Sequence, residues 1–186
     1  MKQKFQLNLM KNYLKDMSME DFAPEKKKRY LDFYMSIAQQ VSQMSQAKRL
    51  KVGSILVKEG NIISFGWNGM PSGWDNNCED NIFVLDEEVM GTNMASLGYT
   101  QTDKGNWVKT KTKPEVIHSE ANCLMKVTKS NQSSYGSSMF LTHAPCIDCA
   151  KQIYTAGIKK VYYRDSYRDT LGVDFLTNCD IMVEKV

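Results

Sequence analysis

Two cysteines stand three residues apart behind a proline, in the run Pro145-Cys146-Ile147-Asp148-Cys149. A second run, His118-Ser119-Glu120, lies upstream, and a third, Gly66-Trp67-Asn68-Gly69, ends a predicted strand. Zinc prefers tetrahedral nitrogen and sulfur ligation. Cysteines at this spacing in the first turn of a helix share one face, so both sulfurs reach one ion. Pro145 suits a helix entrance, where an N–H would lack an intrahelical partner. The positive helix end helps keep the thiolates ionised. An imidazole from His118, at a second helix start, completes three protein ligands. The fourth position is then open to water, which marks a catalytic site and not a structural one.

Glu120 lies two residues beyond His118 and can point into the same cavity without binding metal. Zinc lowers the pKa of its water to ~7 in favourable sites. Glu120 could take that proton, pass it to a ring nitrogen, and help an amine leave. Hydrolytic removal of an exocyclic amine needs both transfers.

Each piece also has a plainer reading. A lone Cys-x-x-Cys is more often a structural clip or a redox pair. A lone histidine is often simply half-buried. The sharpest alternative is local: His143-Ala144-Pro145-Cys146-Ile147-Asp148-Cys149 offers His-x2-Cys-x2-Cys. A closed site of both histidines and both cysteines would be structural and would leave Glu120 without a role. It would not explain why two predicted helices begin at the metal.

The elements that must position these groups follow from pattern and punctuation. The chain has 186 residues, 42% of them apolar, which suits one domain with an arm. Twenty-four basic and 21 acidic residues leave a net charge of +3, too balanced for nucleic-acid or membrane binding. The run Lys26-Lys27-Lys28-Arg29 reads as a solvated face. No apolar stretch approaches the ~20 residues of a bilayer span. The start, Met1-Lys2-Gln3-Lys4-Phe5, lacks a long apolar region, so the chain is read as soluble, unsecreted and cytoplasmic. Five cysteines, an odd count, point to thiols and metal and not to a disulfide framework.

Residues 1–24 read as an arm closed by Pro24, and 25–186 as the domain. Tyr30 to Met44 carries a helical stripe. Val52–Val57 and Ile62–Trp67 read as a hairpin turned at Glu59-Gly60-Asn61, followed by a glycine-rich loop through Gly73. Residues 75–113 are polar and are read as an irregular insertion bordering the site. Helices are expected from His118 to about Lys129, from Ile147 to Ala156 before Gly157, and from Thr170 to about Thr177. Strands are expected at Met139–Thr142, Val161–Tyr163 and Ile181–Val183. This order describes an α/β sandwich with one antiparallel hairpin.

His118-Ser119-Glu120 and Pro145-Cys146-Ile147-Asp148-Cys149 match, in order, the H-x-E…P-C-x-x-C pattern of zinc deaminases. The chain therefore resembles the cytidine deaminase superfamily. Within it the chain is most similar to deoxycytidylate (dCMP) deaminases, through Val52-Gly53-Ser54-Ile55-Leu56-Val57, Gly66-Trp67-Asn68-Gly69-Met70-Pro71-Ser72-Gly73, Cys149-Ala150-Lys151-Gln152-Ile153, Ala156–Val161 and the long insertion. The resemblance covers roughly residues 30–185 and implies an α/β/α three-layer sandwich around a mixed five-stranded sheet. It implies hydrolysis of dCMP to dUMP and ammonia, supplying dUMP for dTMP synthesis. It implies zinc on His118, Cys146 and Cys149, with Glu120 as the proton shuttle. Asn68 would contact sugar or base, the Ser119 N–H the pyrimidine O2, the Ala144 carbonyl the leaving amine, and Tyr167 the substrate. It further implies a homohexamer, activation by dCTP and inhibition by dTTP with Mg²⁺, with Gly66, Trp67, Gly69 and Gly73 near the effector.

The chain departs from the family pattern in two places. Ser119 stands where alanine is usual, and Ser45-Gln46-Ala47-Lys48-Arg49-Leu50-Lys51 replaces the usual Ser-Lys-Asp-Pro. The rival readings are another zinc deaminase, acting on dCTP, tRNA adenosine, guanine or a riboflavin precursor, and a binding module with structural zinc.

Overall fold

The first helical stripe begins earlier than its apolar residues suggest. In the computed structural model, which describes residues 22–83, 94–96, 98–103 and 105–186, helix α1 spans Pro24–Ser42. Pro24 therefore opens the helix; its fixed φ and missing N–H suit the first turn. Lys26, Lys28 and Arg29 are exposed, as the solvated-face reading expects. Lys27 pairs with Glu184 at 3.1 Å and Lys28 with Asp32 at 2.7 Å. Residues 1–21 of the predicted arm lie outside the described residues.

Strands β1 (Gly53–Lys58) and β2 (Asn61–Trp67) form the expected hairpin. Its turn holds Glu59 at φ 50° and Gly60 at φ 76°, the left-handed pair that a two-residue hairpin loop demands. Next in the central sheet come β6 (Ser138–His143), β7 (Lys160–Asp165) and β8 (Met182–Lys185). The order is β2-β1-β6-β7-β8. β1 runs antiparallel to both neighbours, while β6, β7 and β8 are parallel. The connecting helices are α2 (Ser119–Val127), α3 (Ile147–Thr155) and α4 (Leu171–Asn178).

Strand alternation assigns the layers. Ile55, Val57, Phe140 and Tyr162 pack against Leu31, Tyr34, Met35 and Ala38 of α1. Leu56, Met139, Leu141 and Val161 face the other way, onto Cys123, Leu124, Ala150, Ile153 and Leu176 from α2, α3 and α4. The sheet is thus the middle layer of three and, as expected, is mixed and five-stranded. Phe140 and Tyr162 stack at 4.8 Å between ring centres on the α1 side. Each such fully buried large side chain contributes about 1.5–3 kcal/mol.

The insertion differs from the expectation. Within 75–113 three strands, β3 (Glu79–Phe83), β4 (Thr100–Gln101) and β5 (Trp107–Thr112), make a second antiparallel sheet in the order β3-β5-β4. In β5 Trp, Val and Thr alternate with lysine, but only Val108 is buried, so the core leaves little apolar signal. The small sheet is tied to the linker before β1. Glu79 Oε1 accepts from the N–H groups of Lys48 and Arg49 at 3.0 and 3.2 Å, and Arg49 Nη1 donates to Thr112 Oγ1 at 3.0 Å.

Candidate active site

Helices α2 and α3 start on the same side of the sheet, and their starts meet. His118 and Cys146 are the N-cap residues, both extended, and neither side chain caps its own helix. Both are therefore free to turn toward each other. His118 Nδ1 lies 3.4 Å from Cys149 Sγ and 3.6 Å from Cys146 Sγ. The three ligand atoms all fall within 4.8 Å of one another. A zinc tetrahedron with Zn–S of ~2.3 Å and Zn–N of ~2.05 Å has a nitrogen–sulfur edge of about 3.6 Å. The donor set and its spacing fit zinc. The site grades from buried Cys149 through half-buried Cys146 to exposed His118, so it opens to one side.

The three side chains shift one another's proton affinity. The hydrogen bond from Cys149, aided by His118, pulls the Cys146 thiol down to about 4. The same bond to Cys146, with burial, pushes the Cys149 thiol up. The bond to Cys146 likewise raises His118. Metal must displace these protons to bind, which is usual for thiolate sites.

Glu120 sits beside the cluster, only 5% exposed. Burial raises its carboxyl, opposed by its own N–H and by Ser119. Its carboxylate also helps to push the nearby Cys149 thiol up. Ser119 Oγ donates to Glu120 Oε2 at 2.9 Å, so the residue that replaces alanine holds the carboxylate.

Several residues that the sequence reading did not single out suspend α2 from the sheet. Ser54 Oγ donates to Ser119 O at 2.8 Å and Ser64 Oγ to Cys123 O at 2.7 Å. Asn122 Nδ2 donates to Trp67 O at 2.9 Å. The signal available was a serine in the otherwise apolar run Gly53–Val57. Gly66 lets β2 approach: a Cβ there would lie 2.3 Å from Ser119 O and 2.5 Å from Cys123 N. Helix packing therefore accounts for this glycine without any effector. Gly172 does the same for α4, where a Cβ would lie 2.0 Å from Pro145 O.

The remaining expected site residues are placed as follows. Asn68 is nearly buried; its Oδ1 accepts from Val52 N and its Nδ2 donates to Leu50 O, both at 2.8 Å. One amide hydrogen and one lone pair stay available to a ligand. Gly69 exchanges both backbone hydrogen bonds with Ile117, at 3.1 and 2.9 Å, which brings the glycine-rich loop beside His118. Ser119 is the first residue of α2, so its N–H has no intrahelical acceptor. Ala144 follows β6, buried, with its N–H donated to Asp165 O at 2.8 Å. Tyr167 lies between β7 and α4 with the Arg168 guanidinium 5.3 Å over its ring. Trp67 stacks on Phe65 under Lys126, and Gly73 occupies a turn at φ 88°.

His143 does not join the cluster. Its Nδ1 meets Thr142 Oγ1 at 3.1 Å, and its Nε2 lies 3.8 Å from Asp165 Oδ2. Among the described residues the candidate metal-binding group is His118, Cys146 and Cys149. The closed site of two histidines and two cysteines is not formed.

Comparison with known proteins agrees with this geometry. The family model for the cytidine and deoxycytidylate deaminase zinc-binding region matches residues 28–165. The deoxycytidylate deaminase of Enterobacteria phage T4 is 32% identical over 147 residues, 72% of this chain and 76% of that protein. The Mus musculus deoxycytidylate deaminase is 32% identical over 157 residues, 82% of this chain and 76% of that one. The crystal structure of dCMP deaminase from cyanophage S-TIM5, in complex with dCMP and dUMP, aligns with a TM-score of 0.67 and 41% identity. That alignment covers 89% of this chain and 99% of the cyanophage chain. With the open three-ligand site and its adjacent glutamate, these matches show that the chain belongs to the cytidine and deoxycytidylate deaminase family.

Proposed function

We propose that this protein is a zinc hydrolase that deaminates dCMP to dUMP and ammonia. The observation that carries the reading is the buried Glu120 beside the His118–Cys146–Cys149 group. The similarity to deoxycytidylate deaminases supplies the substrate. Zinc on those three residues would supply Lewis acidity that activates water toward the amine-bearing ring carbon. Glu120 moves both protons of the attacking water, the first to ring N3, where it stays, and the second to the departing amine. Ser119 Oγ fixes Oε2, leaving Oε1 to do the transfer. The Ser119 N–H is directed to the pyrimidine O2 and the Ala144 carbonyl to the leaving amine. Asn68, anchored to Leu50 and Val52, presents its spare donor and acceptor to the sugar, and Tyr167 contacts the nucleotide.

The finer reading is a cytoplasmic homohexamer that supplies dUMP for dTMP synthesis, with dCTP activating and dTTP inhibiting. It rests on the family resemblance. The groove beside the glycine-rich loop is lined by Met70, Trp74, Asp75, Asp80, Lys113 and Glu115. Three carboxylates against one lysine would need Mg²⁺ to accept a triphosphate.

The test is zinc content measured alongside ammonia release. E120Q should keep its zinc and lose about 10³-fold in kcat, within the usual range for a general acid–base group. Zinc bound with no ammonia released by either protein would leave only a binding module, and unchanged turnover in E120Q would remove Glu120 from the chemistry. Running the same assay with dCTP and dTTP reads the regulation; an unchanged rate curve rejects it.

A further inference from the structure

His143 is a histidine without a use in the mechanism, yet its position is defined. Met139 and Leu141 of β6 face α2 and α3, and so do Val161 and Tyr163 of β7. Alternation continues that face through His143 and Asp165, which are register partners across the two strands. Both stand at the carboxyl ends of parallel strands, where open α/β sheets bind ligands. Cys146 follows three residues later on the same side, at the start of α3.

The hydrogen bonds around the ring fix what it can offer. Thr142 Oγ1 accepts the Gly53 N–H at 3.1 Å and lies 3.1 Å from His143 Nδ1, to which its own hydrogen can be donated. In that arrangement the neutral ring, favoured by burial, carries its hydrogen on Nε2. Nε2 lies 3.8 Å from Asp165 Oδ2, beyond hydrogen-bonding distance. Asp165 is itself engaged by Arg164 at 2.7 and 3.1 Å. The side chain of His143 remains 17% exposed. The loop beside it carries Tyr167 and Arg168, with Arg168 paired to Asp169.

We propose that His143 is a substrate-binding residue whose Nε2–H donates to an oxygen on the sugar–phosphate end of the nucleotide. The inference rests on the dCMP reading above: the base belongs over the metal group and Glu120, so the outer end of the nucleotide passes the β6–β7 mouth. The acceptor is either a phosphate oxygen or the sugar hydroxyl, and ligand choice separates them.

The experiment measures binding calorimetrically in zinc-loaded E120Q protein, where ligand is held but not consumed, and kinetics in the active enzyme. H143A and H143F should each weaken dCMP by about 10- to 100-fold, the usual cost of a lost buried donor. H143Q, which keeps a donor near Nε2, should recover most of it. In active enzyme the loss should fall on KM and not on kcat. With deoxycytidine the H143A effect disappears if the acceptor is phosphate; with 2′,3′-dideoxycytidine monophosphate it disappears if the acceptor is the sugar hydroxyl. Unchanged dCMP affinity in H143A and H143F overturns the proposal, as does an equal loss with all three ligands. If E120Q with native His143 fails to bind dCMP at all, the dCMP reading itself fails.

Discussion

Burial governs the chemistry of Cys123 as firmly as neighbouring groups govern Cys146. Cys123, on the face of α2 that packs into the core, is fully enclosed, and desolvation pushes its thiol up to about 11 against partial relief from Ser64 and Ser54. An unfolded chain ionises this thiol near ~8.5. The folded pKa is the higher one, so the contribution to stability is complete below ~8.5 and is lost as pH rises toward the folded value. The loss amounts to about 1.4 kcal/mol per pH unit inside that window. C123S should therefore flatten the alkaline limb: between pH 9 and 10 the wild-type chain should lose about 1.4 kcal/mol more than C123S in urea unfolding. Parallel slopes would mean that the thiol is not desolvated. The cysteines thus divide by environment, Cys146 a stabilised thiolate and Cys123 an inert core group.

At the scale of elements, the precision of the site comes from how α2 is hung. Its carbonyls are held by Ser54 and Ser64, its Asn122 grips β2, and Gly66 sets the distance. A methyl at position 66 meets helix backbone and not a flexible side chain. G66A must push α2 outward, carrying Glu120 and His118 with it. Overpacking of this kind costs about 1–3 kcal/mol. The catalytic loss should be larger in proportion, about 100-fold in kcat for a shift near 1 Å. A G66A enzyme with normal kcat and lowered Tm would show that the helix position is not critical. The ligand set was legible because short motifs at helix starts carry it: a proline, paired cysteines and a His-x-Glu, each tied to local geometry. The support was not legible. Ser54 and Ser64 look like ordinary strand serines until the helix above them is known. Whether His143 joins His118 in a closed site was left open by spacing alone, and distance decides it: His118 Nδ1 lies 3.4 and 3.6 Å from the two sulfurs, whereas His143 meets Thr142 and Asp165. The second sheet was missed because its strands are short and mostly polar, with Val108 the one buried side chain in Trp107–Thr112.

For the whole molecule, the question is whether the metal group holds the fold or only the chemistry. α1 packs on one face of the sheet through Tyr34, Met35 and Ala38, remote in the layering from the cysteines. The opposite face buries Leu56, Met139, Leu141, Ile153, Val161 and Leu176 without any metal ligand among them. The core therefore does not depend on zinc, in contrast to small zinc modules that unfold without it. The metal group does join the starts of α2 and α3, and a ligand bound to the folded state at about 1,000 times its Kd adds about 4 kcal/mol. For a chain of this length each kcal/mol moves Tm by about 2–4 °C. Chelation should then lower Tm by about 10 °C, abolish ammonia release, and leave the far-ultraviolet circular dichroism at 25 °C unchanged. Readded zinc should restore both Tm and turnover. Collapse of the helical signal at 25 °C on chelation would show instead that the two helix starts cannot stay packed on the sheet without the ion.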